Sequence, residues 1–198
     1  MGRVVKLGEG VTEFKLGDRV AVEIHAGCGR CEMCRKGWYT SCLNYGFASK
    51  GHKANGFTTD GAFAEYMTNR TQTLVHVPDD MSDEEATLAV TAGTSMYTLD
   101  VMGGLFAGQT MVVTGPGPIG LCAVGVASAL GAEVVLTGTR DNRLEIGKKL
   151  GANHVVNVKK QNPVEFVRDL TGGIGAHYVL ECSGAANAIN DASAMIRR

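Results

Sequence analysis

The chain is 198 residues long, 44% apolar and 20% charged, with 19 basic and 20 acidic side chains and a formal net charge of -1. That length accommodates one or two domains with cores of their own, and the composition excludes a disordered or disulfide-dense chain. The even charge balance offers no field for nucleic acid or an anionic membrane. No apolar run approaches the roughly 18 residues of a membrane span, and the opening "MGRVVKLGEG" lacks the apolar core of a signal peptide. A cytoplasmic setting is therefore expected, and in that reducing compartment clustered cysteines are metal ligands sooner than disulfides.

In chain order, residues 1–81 carry short β-like runs, "GRVVKLG", "DRVAVEI", "AFAEYMTN" and "TLVHVPDD", broken by glycine and polar turns. They predict a β-rich domain. A cysteine lobe over residues 26–45 interrupts it, with Cys28, Cys31, Cys34 and Cys42 spaced C-x2-C-x2-C-x7-C in "CGRCEMCRKGWYTSC". Four thiolates at such spacing can surround one Zn2+ tetrahedrally, which makes a closed structural site with no position for a substrate oxygen. A bacterial iron-sulfur run would need a shorter last spacing and a proline after the fourth cysteine, where Leu43 stands. Arg30, Arg35 and Lys36 would suit a zinc-ribbon nucleic-acid binder, but Glu32 and the overall balance make them a solvated loop.

"SDEE" reads as a capping box, Ser82 with Glu85, opening a linking helix over residues 82–100. From residue 101 to 198 apolar strands alternate with helices. "QTMVVTG" leads into "GPGPIGLCAVGVASALGA", a glycine turn and a helix stopping at Gly131, and "EVVLTGTR" into "DNRLEIGKKLGA" with Asp141 as N-cap. "HVVNV" is followed by "NPVEFVRDLTGG", with Asn162 as N-cap, Pro163 at the first helical position and Glu165 closing the box. "AHYVLECSG" is the fourth strand. The order implies an α/β fold with a parallel sheet covered on both faces, the first half of a doubly wound sheet. Both ends read as cut: the β-rich part is short for a closed barrel, and "NDASAMIRR" stops where another strand is expected.

Within "GPGPIG", Gly115, Gly117 and Gly120 give G-x-G-x-x-G, with Pro118 and Ile119 between the last two, directly between an apolar strand and an apolar helix. The first glycine permits a tight turn, the second lets a pyrophosphate approach and the third packs helix on strand, while the helix N-terminus offers amide donors to phosphates. The bland alternative is a plain βα turn that binds nothing. At the end of the second strand, Gly138-Thr139-Arg140 presents no carboxylate before Asp141. Loss of the acid, with Thr139 and Arg140 able to hold a 2'-phosphate, favours NADP over NAD. In the other reading Arg140 is solvated and Asp141 reaches the ribose.

A catalytic site is harder to find. His25, His52, His76, His154 and His177 are scattered and read as surface or packing residues, with His52, in "SKGHKANGFTTDG", the most exposed candidate. Cys122 and Cys182 read as small core residues.

The order "GVTEFKLGDRV", cysteine lobe, "DGAFAEY", "GPGPIG" and "LGANHVVNV" resembles the zinc-dependent medium-chain alcohol dehydrogenases, in particular the sorbitol and threonine dehydrogenase-like branch. The resemblance implies a partial GroES-like domain with structural zinc on Cys28, Cys31, Cys34 and Cys42, joined to a partial Rossmann domain. It implies hydride transfer between a nicotinamide and the carbinol carbon of an alcohol or polyol, with a catalytic zinc in the intact enzyme. "GTR" is similar to the "GSR" of NADP-dependent relatives. The family's catalytic cysteine and Gly-His-Glu segment fall upstream of "GRVVKLGEG", and a further ligand should fall near Val90 and Thr91, neither of which can hold zinc. Ser95 matches a hydroxyl near the nicotinamide. No catalytic residue is therefore assigned, and this chain is expected to be inactive, with homo-oligomerisation open. The alternatives are a non-catalytic, zinc-stapled dinucleotide-binding module and a zinc-independent reductase of the wider superfamily, which the cysteine lobe argues against.

Overall fold

Alternation in "RVAV" builds the centre of the first sheet in the computed structural model, which describes residues 1–198. Strand β2 (Arg19–Val22) lies between β1 (Gly2–Arg3) and β5 (Leu74–His76), antiparallel to both, with Val20 paired to Gly2 and His76. A second hairpin pairs β3 (His25–Ala26) with β4 (Lys53–Ala54), and the cysteine lobe with its one-turn helix α1 (Glu32–Arg35) is the connection between them. Arg19 ties β2 to the end of this region: its guanidinium lies 2.7 Å from the Asp83 carboxylate and also donates to the Met81 carbonyl. These elements form one compact unit, Met1–Ala89, and residues Val90–Arg198 form another.

Two sequence expectations fail in the first unit. "AFAEYMTN" forms no strand; Phe63 and Tyr66 face solvent, so its alternation has no apolar surface to bury against. The helix expected from Ser82 is broken in two, α2 (Asp83–Ala86) and α3 (Ala89–Val101), at Thr87, whose hydroxyl donates to the Glu84 carbonyl. The capping box itself is present: the Ser82 oxygen accepts the Glu85 N-H, and the Glu85 carboxylate accepts the Ser82 N-H at 2.8 Å.

In the second unit, β6 (Thr110–Thr114), β7 (Glu133–Gly138), β8 (His154–Asn157) and β9 (Tyr178–Glu181) form a parallel sheet in the order β8-β7-β6-β9. All five residues of β6 are buried, as a central strand covered on both faces requires. Met111, Val113, Val134 and Leu136 pack on one face with Ala123, Val124 and Ala127 of α4 (Pro118–Ala129) and Leu144 of α5 (Asp141–Lys149). Val112, Val135 and Val156 pack on the other with Val167 of α6 (Pro163–Leu170) and Met195 of α7 (Ala188–Met195). Beyond α7, Ile196 makes a parallel bridge to Ala176, beside the entry to β9.

Two caps differ from expectation. Arg140, not Asp141, occupies the N-cap of α5, because the Asp141 carboxylate is drawn to Asn157 at 2.6 Å and Lys160 at 2.8 Å. Asn162 caps α6 by itself, accepting the N-H groups of Val164 and Glu165, without a reciprocal bond from Glu165.

Candidate functional site

The cysteine lobe is built by tight turns. Cys31 is the N-cap of α1 and its sulfur accepts the Cys34 N-H at 3.5 Å. Gly27 has no room for a side chain: a Cβ there would stand 2.6 Å from the Cys34 sulfur and 2.8 Å from Cβ of Tyr39. The result brings the sulfurs of Cys28, Cys31, Cys34 and Cys42 within 4.8 Å of one another, with Cys31 and Cys42 3.9 Å apart. Tetrahedral zinc with Zn-S bonds of ~2.3 Å requires S···S spacings of ~3.8 Å, so the donor set fits that metal.

Two of the four thiols are held toward the thiolate form. The Arg30 N-H and the Asn44 amide hold the Cys28 thiol down at about 5, and the Cys34 N-H lowers Cys31. Burial pushes Cys34 up to about 12. Three of the four thiols are partly exposed and Cys42 is buried.

His52 overturns its expectation: it is completely buried rather than exposed. Its Nδ1 accepts the Gly46 N-H at 3.2 Å, its ring lies 4.4 Å from that of Tyr45, and Nε2 has no partner. Burial lowers its pKa. The other histidines have structural partners: His25 stacks on Phe57, His76 on Phe14, His154 lies 3.2 Å from Glu133, and His177 accepts the Thr110 N-H. The four cysteines are the one group of three or more potential ligands that the fold gathers.

A cleft of about 460 Å3 opens at the carboxyl ends of β6, β7 and β9. Gly115, Gly117, Gly138, Thr139 and Arg140 line it, with Thr114, Pro116, Arg143, Cys182 and Ser183. Pro118, Ile119 and Gly120 form the first turn of α4 behind it. Gly115 has φ of 92°, and a Cβ there would meet Ser183 Cα at 2.8 Å. A Cβ on Gly120 would collide with the Gly115 carbonyl oxygen, and one on Gly138 with Pro116 at 2.5 Å, whereas Gly117 faces open space. Gly120 and Gly138 weld turn, helix and second strand together, while Gly117 leaves open space at the N-terminus of α4 that could admit a pyrophosphate.

Ser95 is buried, and its hydroxyl donates to the Ile119 carbonyl at 3.0 Å, so it braces the turn from behind. Val90 and Thr91 lie at the start of α3 and supply no ligand atom. Cys182 packs against the core as the sequence suggested and also lines the cleft; burial raises its thiol to about 11. Cys122 is partly buried in α4, with its thiol also raised by burial.

Residues 1–79 match the family description "Alcohol dehydrogenase GroES-like domain" and residues 118–198 match "Zinc-binding dehydrogenase". The chain belongs to the zinc-dependent medium-chain alcohol dehydrogenases. The L-threonine 3-dehydrogenase of Pyrococcus horikoshii is 39% identical over 189 residues, which cover 95% of this chain and 52% of that enzyme. The sorbitol dehydrogenase of Bacillus subtilis is 35% identical over 198 residues, covering 100% and 54%. An Escherichia coli oxidoreductase/dehydrogenase of unknown specificity superposes with a TM-score of 0.89 at 29% identity, over all of this chain and 55% of the other. The chain thus spans about half the length of the dehydrogenases it matches.

Among the cleft residues of this dehydrogenase fold that the sequence reading did not single out, Arg143 carries charge into the same lining as Arg140. Its signal was available: the two positions stand at i and i+3 at a helix start, a spacing that brings side chains to one side.

Proposed function

We propose that this chain carries the structural-zinc lobe and the dinucleotide site of an NADP-linked alcohol or polyol dehydrogenase. The reaction of that enzyme is hydride transfer between the nicotinamide and the carbinol carbon of a secondary alcohol. The carrying observation is that both Arg140 and Arg143 line the cleft, while the Asp141 carboxylate is already engaged by Asn157 and Lys160. NAD-linked sites place a free acid at this strand end to hold the ribose hydroxyl, whereas two guanidiniums suit a 2'-phosphate. Cys28, Cys31, Cys34 and Cys42 would hold the structural zinc, which supplies cross-linking and no chemistry on substrate.

Each guanidinium contact to phosphate is a charge-assisted hydrogen bond of about 1.5–3 kcal/mol, so NADPH should bind at least about tenfold more tightly than NADH. Titration of both nucleotides by fluorescence tests this, and the R140Q/R143Q pair should erase the difference. Equal or tighter binding of NADH overturns the cofactor assignment. The chain by itself turns over no alcohol, since the four thiolates leave no open coordination position and Val90 and Thr91 offer no ligand. Zinc analysis should give one metal per chain, and a panel of secondary alcohols and polyols should give no NADP reduction; turnover or a second zinc refutes it.

A further inference from the structure

Glu181, the last residue of β9, does not itself line the cleft, yet one of its carboxylate oxygens gathers four donors. Oε1 accepts the Ser183 N-H at 2.6 Å, the Ser183 hydroxyl at 2.5 Å, the Gly184 N-H at 3.0 Å and the Thr114 hydroxyl at 3.3 Å. Thr114 is the register partner of Glu181 and the last residue of β6, immediately before the glycine turn. Ser183 lies against Gly115, where a Cβ would come within 2.9 Å of its nitrogen and Cβ. The same carboxylate therefore grips both the end of the strand that enters the turn and the loop that presses on the turn's first glycine.

We infer that Glu181 is a positioning residue for dinucleotide binding, which sets the geometry of the Gly115–Gly117 phosphate turn through Ser183 and Thr114. The inference rests on the reading of the cleft as a dinucleotide site. Its physical reason is that bonds to an ionised acceptor are roughly twice as strong as neutral ones, and a carboxylate accepts without presenting a hydrogen to the donors around it. A glutamine keeps the shape and can set its amide oxygen where Oε1 stands, but that acceptor is neutral and each of the four bonds is weaker. The Ser183–Gly184 loop would then relax away from Gly115, and the turn with it.

The test compares E181Q with the unsubstituted chain by amide hydrogen exchange in the absence of ligand and by binding of NADPH and of 2'-AMP. 2'-AMP reaches the arginines at the end of β7 but has no pyrophosphate for the turn. In E181Q the amides of Gly115 and Leu121, bonded to the Thr137 and Gly117 carbonyls, should exchange about tenfold faster while those of β7 keep their protection, and NADPH should weaken about tenfold and 2'-AMP by less than about twofold. Exchange that accelerates only at Ser183 and Gly184, or equal weakening of both ligands, overturns the inference. Should E181Q fold poorly, Thr114→Val removes one donor and should give the same pattern at about threefold; no change there also overturns it. If the unsubstituted chain binds neither ligand, the cofactor reading falls, and the exchange at the glycine turn still decides whether Glu181 sets it.

Discussion

Gly117 and Gly120, three residues apart in the same motif, are glycine for different reasons. A Cβ at position 120 meets the Gly115 carbonyl oxygen, while a Cβ at 117 meets nothing within 4 Å and the backbone there has an ordinary φ of -85°. Gly120→Ala should therefore cost about 1–3 kcal/mol of stability and also abolish nucleotide binding. Gly117→Ala should leave the melting temperature unchanged and still weaken NADPH by about tenfold or more, because its methyl takes the space of the phosphates. Thermal melts beside fluorescence titrations separate the two, and a stability loss in the second variant contradicts the open cradle. Glu181 adds a pH dependence. The Ser183 hydroxyl and the N-H groups of Ser183 and Gly184 hold its carboxyl below the ordinary glutamate value. The folded state thus binds its proton less readily than the unfolded state, so its stabilisation is present above about pH 4.3 and is lost as pH falls through the lower folded value. The melting-temperature difference between the unsubstituted chain and E181Q should shrink over that acidic window; a difference that grows instead reverses the assigned sign.

At the scale of elements, the sheet was legible because each strand is a short apolar run bounded by turn residues, and the helices because their caps and periods agree with them. "AFAEYMTN" shows the limit: alternation marks a strand only if a partner surface lies beneath it, and Phe63 and Tyr66 have none. The α7 end depends on one long-range latch that no local pattern announced. Arg168 of α6 donates to the carbonyls of Gly173, Ile174, Ala194 and Ile196, and so satisfies the C-terminal end of α7. Arg168→Met keeps the stem and removes these bonds. It should cost about 1.5–3 kcal/mol in urea unfolding, with the fastest amide exchange in α7; protection unchanged there excludes the latch.

Over the whole molecule, the two units have separate sources of stability, a zinc-ready thiol cluster in Met1–Ala89 and a two-faced apolar sheet in Val90–Arg198. Chelation of zinc should strip amide protection from residues 28–46 and leave β6 and β7 protected, as followed by hydrogen exchange; equal loss in both contradicts separate stabilisation. The sequence by itself determined the α/β order, the zinc-fitting spacing of four cysteines and the glycine turn, because each is written in neighbouring residues whose sterics and chemistry are local. Only the tertiary structure decided that His52 is buried, that Asp141 is spent on Lys160, that Arg143 joins Arg140 in the cleft and that Glu181 grips the turn. Those outcomes rest on contacts between residues distant in the chain or on which way a side chain faces, and burial and hydrogen-bond partners of that kind exist only once the strands have been brought side by side.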